Sequence, residues 1–95
     1  MPINYFLNRD EDSMYPDRIN VGDEVLIIEK ENQGTRDVND LVWGRVIRKL
    51  SKGNRYQNGA KVIVELSEKD WRYKDLGPAQ IIGRVQYITE RAENL

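Results

Sequence analysis

Between Leu41 and Val64 the chain carries six cations, Arg45, Arg48, Lys49, Lys52, Arg55 and Lys61, and no acid. The formal net charge of the whole chain is −1, so this run makes a local positive field in a nearly neutral molecule. Two rings, Trp43 and Tyr56, fall inside it. Cations anchor phosphates, and an exposed ring can stack on a base. Strand alternation places Trp43, Arg45 and Lys49 on one face, and Tyr56 shares a cationic loop with Lys52 and Arg55. Arg84 joins them from a neighbouring strand. These seven residues are the candidate nucleic-acid surface, for RNA or DNA. Two of them also have a plainer use: Trp43 as a core or lid residue at the mouth of the fold, and Arg84 as an ion-pair partner of Glu24 or Glu65.

A second set, Trp71, Tyr73 and Leu76, lies in the polar segment Ser67–Pro78. It could offer an apolar patch to a protein partner. The spacing is i, i+2 and i+5, which is not one helical face, and Trp71 could instead pack back to close an open end. Catalysis has little to draw on. There is no Cys and no His, which removes thiol nucleophiles, imidazole acid–base work and Cys/His zinc sites. No Gly-rich phosphate loop and no Gly-x-Ser-x-Gly is present. Asp10-Glu11-Asp12 lacks the glycine and distal Glu of a calcium loop. The expectation is a non-enzymatic module without catalytic residues, metal or cofactor.

The elements that must position these residues follow from the turn and strand signals. A chain of 95 residues makes one domain. Residues 1–17 read as an acidic extension, partly disordered, with Ile3, Tyr5, Phe6 and Leu7 suited to docking. Its acids are placed to fold over the cationic run. After the turn Asn20-Val21-Gly22-Asp23, residues 24–29 form a β-branched strand. Residues 41–50 form a second strand, bent or bulged at Gly44. The hairpin dipeptide Asn58-Gly59 leads into a third strand over 60–66. A fourth runs over 81–88. Between the last two, an insertion at 67–80 is either a short helix over 68–76, with Ser67 and Asp70 as a capping box and Gly77-Pro78 as its stop, or an ordered loop. Residues 89–95 are a tail, fraying from Ala92.

Short strands separated by turns predict an all-β domain, and one this small is best closed as a single SH3-like β-barrel over 18–88. The expected core is Val25, Ile27, Val46, Val62, Val64, Val85 and Ile88. Apolar runs of at most four residues exclude a membrane span, and the N-terminal residues lack a signal-peptide pattern. A cytoplasmic protein is the simple reading.

Gly22-Asp23-Glu24-Val25 followed by Gly44-Arg45-Val46 resembles the KOW-type element of SH3-like barrels. Over most of 18–88 the chain resembles the YwbE-like family of short uncharacterised bacterial proteins. The match runs through Arg18-Ile19 with Gly22, Val25-Leu26-Ile27-Ile28-Glu29-Lys30, Gln33 with Thr35, and Gly44-Arg45-Val46. It continues through Lys49-Leu50-Ser51, Gly59-Ala60-Lys61-Val62 with Leu66, and Ile82-Gly83-Arg84-Val85-Gln86 with Ile88. The family's histidine-containing segment reads Tyr56-Gln57-Asn58 here. Residues 67–80 are an insertion, and residues 1–17 lie outside the match. The resemblance implies the barrel and brings no activity with it.

Overall fold

A computed structural model describes residues 9–34 and 37–92. Strand β1 spans Glu24–Ile28, β2 Val42–Lys49, β3 Lys61–Leu66 and β4 Gln80–Glu90. All four pair antiparallel in the order β1-β2-β3-β4, and β4 returns to β1, so the sheet closes into a ring. This is an all-β fold, and among the described residues its one α-helical turn is α1, over Tyr73–Leu76. Among the described residues no helix is long and apolar enough to cross a membrane.

Closure depends on β4, which serves two partners. Residues 80–84 pair with β3, and residues 84–90 pair with β1. Gly83 sits at the corner. A Cβ there would meet the Ile28 carbonyl oxygen at 2.6 Å, so only glycine lets β4 cross so close to β1. Gly44 has the same purpose on β2: a Cβ would meet Val64 Cγ2 at 2.4 Å. The expected bulge is therefore not at Gly44, which lies in regular register with Val25 and Leu66. It lies at Ile47, where Val46 opposes Val64 and Arg48 already opposes Ile63.

The inward faces meet in a core of Ile19, Val25, Ile27, Val42, Val46, Ala60, Val62, Val64, Leu66 and Val85. Ile88, expected within it, is half-buried and packs against its edge. The outward face of β1 is also covered: Ile28 and Leu41 are buried, with Leu26 and Tyr87 packed against them.

Residues 1–8 of the acidic extension, including the docking candidates Ile3, Tyr5, Phe6 and Leu7, lie outside the described residues, as does Thr35 of the family match. Residues 9–18 are a strap across one end of the ring, with 3-10 turns at Glu11–Met14 and Pro16–Arg18. Ser13, Met14 and Pro16 are buried. Tyr56 N–H donates to Met14 O at 2.7 Å, and Ala60 N–H donates to Ser13 O at 2.8 Å. These backbone bonds to the Tyr56–Ala60 loop explain why a segment without apolar periodicity is ordered. The strap lies against the cationic run through backbone groups, and Lys49 Nζ donates to Pro16 O at 3.0 Å. Asp12 pairs with Arg18 and Arg91. Ala92 is held as well, donating its N–H to the buried Asp23 at 2.7 Å.

The insertion is mostly turn. Ser67 Oγ accepts the Lys69 N–H, and no side chain caps α1. Asp70 is absorbed elsewhere. Its buried carboxylate accepts the Trp43 N–H at 3.0 Å, the Arg72 N–H at 2.9 Å and the Arg72 guanidinium at 3.0 Å. Ser67 N–H donates to Trp43 O. The insertion thus takes over the pairing of Trp43 where β3 ends, which leaves Asp70 unable to cap a helix.

Candidate anion-binding face

The Ile47 bulge separates Lys49 from Trp43 and Arg45, the strand residues expected to share its face. Two residues, Ile47 and Arg48, share the outward face opposite Ile63, so alternation slips by one position beyond them. Lys49 leaves the face of Trp43 and Arg45, lies opposite Val62, and donates its Nζ to Pro16 O at 3.0 Å. Arg48 takes the outward place.

Arg45 stays outward but among acids. Its guanidinium donates to Gly22 O at 2.7 Å, lies 3.9 Å from Glu24 and opposes Glu65 in register. Trp43 is half-buried beside Leu26, with Lys69 Nζ 5.5 Å from its ring centroid. Tyr56 donates its hydroxyl to Lys52 O at 2.6 Å within the loop that also carries the exposed Arg55.

The protein-docking set divides too. Trp71 is 70% exposed, with the Arg72 guanidinium 4.4 Å from its ring centroid, and Leu76 is exposed. Tyr73 turns inward against the core.

A different cluster gathers where β3, β4 and the segment after β1 meet. Lys61 and Arg84 stand directly opposite each other on β3 and β4, and Arg84 also registers with Ile28 at the end of β1. Lys30 follows β1 in the 3-10 turn Lys30–Asn32. With Gln33, Asn58, Ile82 and Gly83 these residues line a cleft of about 270 Å³ that has no acid in its walls. Arg84 donates to Gly59 O at 2.9 Å, which orients its guanidinium. Glu29 and Glu31 flank Lys30 in sequence but do not line the cleft. Glu29 instead senses Arg72 and Asp70, and burial, reinforced by Glu31, holds its carboxyl above the usual range.

Of the expected nucleic-acid residues, only Arg84 belongs to this cleft. Lys30, Gln33, Asn58 and Lys61 went unrecognised as a group. The available signal is the like-charged cross-strand pair. Like charges directly opposite are destabilising on an antiparallel sheet, so Lys61 against Arg84 is a local cost that a ligand would offset. Comparison with family models, curated proteins and solved structures finds no match.

Proposed function

We propose that this chain is a small SH3-like barrel acting as a non-catalytic, cytoplasmic module that binds RNA or DNA through the phosphate backbone. The observation that carries the reading is the Lys61–Arg84 pair facing Lys30 across an acid-free cleft. Arg48 extends the positive charge along the same outward face, beside Ile63 and Ile82. No aromatic lines the cleft, which favours phosphate contacts over base stacking.

Fluorescence anisotropy with a labelled single-stranded RNA and a duplex DNA tests it. Lys61→Gln with Arg84→Gln should weaken binding about tenfold or more at about 50 mM salt, whereas Arg45→Gln should change it less than about twofold. Equal losses in both variants would refute the assignment of this face. A second reading, a protein adaptor, is favoured by the exposure of Trp71 and Leu76 on the insertion. Binding of no nucleic acid at low salt would leave that reading in place.

A further inference from the structure

We infer that the cleft walled by Lys30, Lys61 and Arg84 is a subsite for a terminal phosphomonoester, the phosphorylated end of a nucleic-acid strand. The inference rests on the nucleic-acid reading and narrows its ligand. Size is the first argument. At about 270 Å³ the cleft falls below the range of roughly 300–1,000 Å³ that encloses drug-sized ligands, so it suits one small group rather than a chain passing through it.

Charge is the second argument. Among the described residues neither Lys30 nor Lys61 has an ion-pair partner, and no acid lines the walls. A backbone phosphodiester brings one negative charge to three cations. A phosphomonoester brings about −1.5 to −2 at neutral pH and three acceptor oxygens, a closer match. Preorganisation is the third. The Gly59 carbonyl holds one terminal nitrogen of Arg84, and the rest of the guanidinium keeps N–H donors for phosphate oxygens. Gln33 and Asn58 also line the cleft, and each carries a side-chain amide able to donate. Ile82 is 51% exposed, lines the same cleft and opposes Ile63 on β3, so an apolar shelf adjoins the anion site. A terminal nucleoside would rest there, which distinguishes a strand end from a bare phosphate ion.

The test uses one internally labelled RNA sequence with a 5′-phosphate, a 3′-phosphate or hydroxyls at both ends, bound to the full chain. Adenosine monophosphate and inorganic phosphate serve as competitors. One phosphorylated end should bind about tenfold tighter than the hydroxyl-ended strand. The gain should vanish in Lys61→Gln and persist in Arg45→Gln, with circular dichroism confirming that each variant is folded. Equal, salt-dependent binding of all three strands would overturn the terminal subsite and leave the backbone reading standing. Binding of none would overturn both. Displacement by inorganic phosphate or the mononucleotide as effective as by the phosphorylated strand would overturn the strand-end assignment in favour of a small phosphate ligand.

Discussion

Removing one charge from the Lys61–Arg84 pair should move stability and binding in opposite directions. Lys61 is exposed, and its backbone groups hold the local structure independently of its side chain. Its N–H donates to Ser51 Oγ, and its carbonyl accepts from Leu50 and Ser51. Lys61→Gln therefore leaves the ladder intact and deletes a like-charge opposition worth about 0.2–1 kcal/mol. In a domain of this size each kcal/mol moves the midpoint by about 4–8 °C, so Tm should rise by about 1–8 °C. Thermal unfolding followed by circular dichroism measures this. The gain should shrink between about 10 mM and about 500 mM salt, because the opposed charges are exposed enough to be screened. Nucleic-acid affinity should fall in the same variant. A Tm that falls, or a gain indifferent to salt, would refute the argument that the pair is kept at a cost to stability for the sake of a ligand.

Gly59→Ala should destabilise more than Gly53→Ala. Both glycines have positive φ, 98° and 86°, but a Cβ at Gly59 would meet Val85 O at 2.2 Å, whereas one at Gly53 meets nothing within 4 Å. The conformational cost is about 1–2 kcal/mol at each, and overpacking adds about 1–3 kcal/mol at Gly59 alone, as urea unfolding of the two variants would measure. Asp70→Ala should cost about 3 kcal/mol or more by the same assay, because it leaves the partly buried Arg72 and the Trp43 N–H without their acceptor. Glu29→Gln should raise Tm at neutral pH. Burial lifts the native carboxyl above its ordinary value near 4.5, so whatever stability the group contributes is complete below that value and lost as pH rises through the raised native one. The advantage of the variant should close as pH falls toward about 4.5, which scans across pH 4 to 7 would follow.

The ring itself was legible because its strands are short β-branched runs between strong turn signals. The sequence places them over 24–29, 41–50, 60–66 and 81–88, close to the observed bounds. Of the expected inward residues, Val25, Ile27, Val46, Val62, Val64 and Val85 are buried, and Ile88 is half-buried at the edge of the core. Ile19, Val42, Ala60 and Leu66 are core residues outside that expected set. Ile19 lies in a turn flank, where period-2 alternation carries no information. Val42 shares its face with the expected core residue Val46, but that face also carries Arg48, which obscures it in the sequence. The candidate surface was harder to read for a related reason. Counting alternate residues assumes an unbroken pleat, and a single extra residue at Ile47 moved Lys49 to the other face and put Arg48 outward. Lys30 and Gln33 reach Lys61 and Arg84 only because β4 turns at Gly83 to close on β1, a long-range pairing that no local pattern reports. Asp70 carried a capping signal, but a buried carboxylate that satisfies a strand N–H and a guanidinium has a stronger use than a helix end.

The most direct test of the central claim is the salt dependence of RNA affinity. Affinity for a single-stranded RNA should be measured by anisotropy at about 50 mM and about 200 mM salt, for the native chain and for Lys61→Gln with Arg84→Gln. Four phosphate contacts, from Lys30, Arg48, Lys61 and Arg84, correspond to a logarithmic slope of about −2.8 and a loss of about fifty-fold over that range. With two contacts removed the slope should fall to about −1.4, a loss of about sevenfold. An unchanged slope in the variant, or no binding at the lower salt, would contradict the account.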